Sequence, residues 1–145
     1  MTNEELAVIE VVLDCWDAVK EGDFGRLASH YDPERFTLFS EHPPHGLERG
    51  ERALLIKRGL ITQVSGIEVE LEGIEANVFG DVAVVTYTVS YKGMLVYRYR
   101  FEGQLLSVRA FCTTVLIRQR DGWKIVHEHF TTLPEGSDLT SRSAT

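Results

Sequence analysis

Residues 113–130 read Thr113-Thr114-Val115-Leu116-Ile117-Arg118-Gln119-Arg120-Asp121-Gly122-Trp123-Lys124-Ile125-Val126-His127-Glu128-His129-Phe130. Two runs rich in β-branched and aromatic residues flank Asp121-Gly122, the strongest short hairpin signal in the chain. Closing the turn on those two residues puts Arg120 opposite Trp123, Arg118 opposite Ile125, Leu116 opposite His127 and Thr114 opposite His129. Opposed residues share a face. One face then holds Cys112, Thr114, Leu116, Trp123, Ile125, His127 and His129. The other holds Thr113, Val115, Ile117, Lys124, Val126, Glu128 and Phe130. The alternation leaves open which face turns inward.

Upstream of this hairpin the period of two continues. Ile67, Val69 and Leu71 alternate with Glu68, Glu70 and Glu72, and Gly80-Asp81 separates them from a strand over Val82 to Tyr91. Lys92-Gly93 marks a break, Leu95 to Phe101 a further strand, and a long strand runs from about Ser107 to Arg120. Before Ile67 the spacing is helical. Leu6, Ile9, Leu13 and Trp16, joined by Val8, Val12 and Val19, line one side of a helix over Glu4 to Glu21 that stops at Gly22. Asp23 caps a short helix, Phe24 to His30, ended by Asp32-Pro33. Arg35 to Ser40 reads as a strand, and the loop through His42-Pro43-Pro44-His45 follows. A third helix spans Gly50 to Val64 and closes at Ser65-Gly66. Three helices followed by mainly antiparallel strands is an α+β order, and the sheet must curl around the helices to bury them.

The chain has 145 residues, 43% of them hydrophobic, which suits one domain over residues 1–133 followed by a disordered tail, 134–145. Net charge −7 argues against a nucleic-acid partner. Acidic residues where a signal peptide would be basic, and no long apolar run, argue against export and membrane spanning. A cytoplasmic chain would keep Cys15 and Cys112 reduced. The acidity is uneven: residues 1–23 hold seven acids and one base, whereas 94–133 hold six bases and three acids. An acidic ligand or partner for the C-terminal half therefore stays open.

The segment from Asp121 to Phe130, with Thr113 to Arg118 before it, resembles the closing hairpin of the SnoaL-like families. These belong to the nuclear transport factor 2-like superfamily, with steroid delta-isomerases, polyketide cyclases and the calmodulin-dependent kinase II association domain. Trp16, Glu21-Gly22-Asp23-Phe24, Leu27 to Tyr31-Asp32, Gly50-Glu51-Arg52-Ala53 and Val78 to Val85 agree in the expected order. The resemblance implies a conical, strongly curved sheet of five to six strands closed by three N-terminal helices, a cystatin-like α+β barrel. It also implies a homodimer joined through the outer sheet face and a pocket inside the cone. On that analogy Trp16, Tyr87, Thr114 and His129 line the pocket, and Val115, Ile117, Val126 and Phe130 serve the dimer interface.

His127 is the first catalytic candidate, because histidine exchanges protons near neutral pH; the alternative is a core histidine that fixes the sheet. Asp32 is the second, as a general base, against the alternative of an Asp that shapes a turn before proline. Tyr87 can donate to a developing oxyanion or simply pack in the core. His-x-His has metal-ligand spacing, but no third ligand is evident, so neither metal nor other cofactor is expected. The expected protein is a cytoplasmic homodimer holding a small apolar or acidic ligand. Its chemistry, if catalytic, is isomerisation or cyclisation by proton transfer next to a carbonyl. The alternative is a non-catalytic homo-oligomerisation or ligand-sensing domain resembling the kinase association domain.

Overall fold

The structure is a computed structural model that describes residues 1–40, 46–96 and 103–134. The proline loop at 41–45, the Tyr97-Arg98-Tyr99-Arg100 stretch and the tail from 135 lie outside the described residues. The elements are α1 (Asn3–Glu21), α2 (Phe24–Ala28), β1 (Thr37–Phe39), β2 (Leu47–Arg49) and α3 (Gly50–Thr62). They continue with β3 (Val64–Phe79), β4 (Val82–Val96), β5 (Gly103–Gln119) and β6 (Gly122–Thr132).

Helix α1 begins where the Thr2 hydroxyl accepts the Glu5 amide at 3.1 Å, and ends at Gly22, whose φ of 72° is the left-handed conformation glycine adopts freely. Its buried stripe runs through Val8, Val12, Cys15, Trp16 and Val19, while Leu6 and Leu13, expected on that stripe, stay exposed. The helix carries more apolar residues than one contact face can cover. Helix α2 ends at Ala28, earlier than the expected His30, and the chain then runs beside β6: the Ile125 amide donates to the His30 carbonyl at 2.8 Å, and the Asp32 amide to the Ile125 carbonyl at 3.0 Å.

Asp14 on α1 ties α2 in place. Its carboxylate accepts from Arg26 Nε at 3.0 Å and meets His30 Nε2 at 2.6 Å, while Arg26 also bridges to Glu21. The Arg26 guanidinium, then His30, hold the Asp14 carboxyl down at about 2. A carboxyl lowered on folding stabilises the native state above its unfolded value and loses that contribution as pH falls through the folded one. The stability gap between wild type and Asp14→Asn is therefore expected to be full at pH 5 and to shrink toward about pH 2, read from thermal melts across that range.

The six strands form one sheet in the order β2-β1-β6-β5-β4-β3, antiparallel except for the parallel β1–β6 pair. The sheet is curved but open, with β2 and β3 as its edges, so the expected barrel does not close. The sheet ends at one edge in two three-residue strands, β1 and β2, and at the other in the sixteen-residue β3. Strand β2 was not anticipated. Helix α3 stops at Thr62 instead of Val64, because Val64 already pairs with Leu95 at the start of β3. Strand β4 runs unbroken through Lys92-Gly93. Gly93 lets it pass close to the α3–β3 junction: a β-carbon there would lie 2.5 Å from Val64 Cγ1 and 3.0 Å from the Ser65 carbonyl oxygen. The helices pack on the concave face, where Val85, Tyr87, Val89 and Tyr91 of β4 and Ala110, Cys112, Thr114 and Leu116 of β5 are buried.

Candidate functional site

The closing hairpin decides what faces the helices. Its turn forms on Arg120-Asp121, with Gln119 paired to Gly122 and Arg118 to Trp123. Gly122 takes a φ of 112° and Asp121 does not take a positive one, so the two-residue Asp-Gly turn, which needs positive φ at both residues, is not made. This moves the expected register by two residues and leaves the faces unchanged. A second irregularity changes them: Leu116 pairs with Ile125, but Val115 pairs with His127, leaving Val126 as an extra residue. A one-residue bulge exchanges the faces of everything beyond it. Thr114 therefore stands opposite Glu128 and Cys112 opposite Phe130 on the concave face, while His127 and His129 share the outer face with Val115 and Thr113. Glu128 is 3% exposed and Phe130 4%; His129 is exposed.

On the concave side Glu128 gathers a polar cluster inside the core. Lys57 Nζ, on α3, lies 3.0 Å from Glu128 Oε1. The Tyr31 hydroxyl donates to the same oxygen at 2.8 Å, and the Thr114 hydroxyl donates to Oε2 at 3.4 Å. Trp16 Nε1 donates to the Tyr87 hydroxyl at 2.9 Å, and Phe130 packs edge-on against Trp16 with ring centres 6.4 Å apart. The Lys57 ammonium sits 4.4 Å above the Phe130 ring, a cation–π contact in a desolvated setting. Burial, then the Glu128 charge, pushes the Tyr31 phenol well up, so it keeps its proton and remains a donor. The same two causes push the Cys112 thiol up to about 12, and Cys15 is raised by burial as well. Both thiols are unpaired and inert at neutral pH.

The cavity beside this cluster, bounded by Cys15, Trp16, Tyr31, Lys57, Tyr87 and Glu128, measures ≈ 10 Å³. That is room for about one water molecule and for no substrate carbonyl.

Of the expected pocket residues, Trp16, Tyr87 and Thr114 are thus brought together inside. His129 is on the outer face. His127 is half-buried there, with Nδ1 2.8 Å from the Thr37 hydroxyl and its ring against Phe39; burial, then His129, lowers its pKa. Asp32 lies at the turn before β1. Its Oδ1 accepts the Glu34 and Arg35 amides at 3.0 and 3.1 Å and its Oδ2 accepts Gln119 Nε2 at 2.8 Å. Burial works against its charge, but those three donors outweigh burial and hold its carboxyl low. Both carboxylate oxygens of Asp32 are thus occupied, Oδ1 in shaping the turn and Oδ2 in holding the end of β5. Of the expected interface residues, Val115, Ile117 and Val126 are half-buried and Phe130 is in the core. Lys57, Tyr31 and Glu128 were missed. Lys57 had a signal: it falls at helical spacing between Ala53 and Leu60, a lone cation on an apolar stripe.

A family profile for the SnoaL-like domain matches residues 8–134. The chain belongs to the SnoaL-like domain family. Solved structures with this fold include a candidate dehydratase of the NTF2-like family from Streptomyces avermitilis. It is 22% identical, with a TM-score of 0.73 over 88% of this chain and 94% of that one. The CaMKII hub of S. rosetta is 24% identical, with a TM-score of 0.72 over 92% and 99%. A candidate aromatic ring hydroxylase from Novosphingobium aromaticivorans is 16% identical, with a TM-score of 0.76 over 90% of each chain. At these identities the likeness is one of fold. No curated protein matches this SnoaL-like domain. Among its described residues no helix is long and apolar enough to cross a membrane.

Proposed function

We propose that this SnoaL-like domain is an assembly module in which the outer face of the sheet docks a second copy of the chain. The observation that carries this reading is the composition of that face. Across β1, β6, β5 and β4 it presents Phe39, His129, Thr113 and Thr86 in one row and Thr37, His127, Val115 and Val84 in the next, with Phe111 and Ile117 beside them. Phe111 is 42% exposed and Phe39 38%. A broad surface of aromatic, β-branched and threonine side chains, without a formal charge at its centre, has the make-up of an interface core. The cavity at the Glu128 cluster, ≈ 10 Å³, supports assembly over catalysis at that cluster, and the likeness to the CaMKII hub agrees with it. Two buried, unpaired thiols fit a cytoplasmic setting.

Sedimentation velocity at 1–100 μM on the order of magnitude of ordinary dimer affinities tests the reading. The wild type is expected to sediment as a dimer. Val115→Asp places an unpaired carboxylate at the centre of the face and is expected to weaken self-association by on the order of 100-fold while the far-ultraviolet spectrum is kept. A monomeric wild type at the top concentration would overturn the proposal.

A second reading has one observation in its favour: Glu128, Lys57 and Tyr31, an acid, a base and a phenol, meet around a cavity. Proton transfer next to the carbonyl of a small apolar or acidic ligand would require that cluster to part and the cavity to widen. Thermal stabilisation by a panel of small ketones and carboxylic acids, lost in Glu128→Gln, is the result this reading requires.

A further inference from the structure

A cavity of ≈ 530 Å³ opens on the outer side of the sheet, a size within the range of roughly 300–1,000 Å³ that small-molecule sites occupy. Its walls are charged. Glu70 on β3, Ser90 on β4 and Arg109 on β5 form one register row across it, and Glu68 beside Lys92 lies in the next. Arg109 is separated along β5 from Thr113, which pairs with His129, by about 14 Å, so the cavity sits toward the end of the face and not among its histidines.

Arg109 is the unusual member of this row. Its Nε is shut off from solvent and has no hydrogen-bond partner among the described residues. Its Nη2 reaches Glu72 Oε2 only at 3.5 Å. The Nε and Nη2 donors share one edge of the planar guanidinium and form a fork that a carboxylate fills with two parallel bonds of about 2.7–2.9 Å. Here a single oxygen touches one prong at the limit of a hydrogen bond, and the other prong is a buried donor left unmet, a state that costs free energy and is rare in native proteins. The Arg109 side chain is 28% exposed, so the fork can turn toward the cavity and take a carboxylate from a ligand.

A plain anion does not suit the rest of the wall. Lys92 pairs with Glu68 at 3.3 Å, while Glu70 pairs with no cation among the described residues. Glu70 and Glu72 lie on one face of β3, about 7 Å apart along the strand. Together they repel a second negative charge and attract a positive one. A ligand with an ammonium beside its carboxylate answers both conditions.

We infer that this cavity binds a small zwitterion, an α-amino acid, with its carboxylate in the Arg109 fork and its ammonium against Glu70. The site is separate from the Glu128 cluster, and its occupation does not depend on assembly.

Titration of the full chain with leucine, followed in nitrogen–proton correlation spectra of the arginine Nε groups, tests this. The Arg109 resonance is the one missing from Arg109→Gln. It is expected to shift and saturate as leucine is raised to about 10 mM, an affinity that suits an open site with few contacts. Isocaproate, which is leucine without its ammonium, and isoamylamine, which is leucine without its carboxylate, are each expected to bind about tenfold more weakly or worse. Glu70→Gln, an exposed and nearly isosteric change, is expected to weaken leucine about tenfold and to leave isocaproate no weaker than in the wild type. No shift with leucine, glycine or phenylalanine would overturn the proposal. So would isocaproate binding as tightly as leucine, which would make the cavity a plain anion site, or leucine binding that Glu70→Gln leaves unchanged.

Discussion

Lys57→Met is expected to lower the stability of this domain by about 3–5 kcal/mol, a fall of roughly 10–20 °C in Tm for a chain of this size. The side chain it removes is 5% exposed and lies 3.0 Å from Glu128. What it leaves behind is a carboxylate that is 3% exposed, with only the Tyr31 and Thr114 hydroxyls to hold it. The large effect comes from that uncompensated charge rather than from the net worth of the ion pair, because desolvating two ions nearly cancels their attraction. The double variant Lys57→Met with Glu128→Leu, which removes both charges, is therefore expected to recover most of the loss. Chemical denaturation of the three proteins checks this. A double variant as weak as the single would mean that the pair is not what holds Glu128 inside.

The second large effect is expected at Gly93. An alanine there puts a methyl group 2.5 Å from Val64 Cγ1 and 3.0 Å from a backbone carbonyl oxygen. Valine is stiff at its first side-chain torsion, so it cannot swing aside as a long unbranched chain would. Overpacking of this kind costs about 1–3 kcal/mol. Gly93→Ala is thus expected to lower the denaturation midpoint, and Val64→Ala to return part of that loss in the double variant although it is destabilising on its own. Losses that simply add would show that the contact between β4 and the start of β3 is not the reason glycine is required.

Periodicity reveals most of the architecture because it reports local geometry. The 3.6-residue spacing of α1 and the Glu-apolar alternation of β3 each follow from a single element's contact with the core. Strand β2 was not legible: three residues, Leu47 to Arg49, are too few to show a period, and they exist as a strand only because β1 lies beside them. The register of the last hairpin was not legible for a related reason. The bulge at Val126 is set by how β6 fits between β5 and β1, a tertiary condition that the alternation of Ile125, Val126 and His127 does not record. From the observed turn a regular ladder would set the two histidines opposite Thr114 and Cys112; with the bulge they stand opposite Val115 and Thr113. The candidate site moved with them, from the imidazoles to Glu128. Lys57 was visible as an anomaly on the α3 stripe, but its partner lies on the far side of that bulge.

The extra residue at Val126 also bears on how a fold of this kind can change its use. Beyond the bulge, β6 carries two sets of side chains in alternation: imidazoles at 127 and 129, and an acid and an aromatic ring at 128 and 130. Which set points into the molecule is a matter of parity alone. One inserted or deleted residue between the turn and the bulge exchanges them without altering the composition of the strand. In one phase the interior receives a carboxylate that binds a lysine and closes the space; in the other it would receive two titratable rings and give the acid to solvent. A single indel in β6, ahead of position 127, would thus decide whether a carboxylate or an imidazole meets Lys57 in the core.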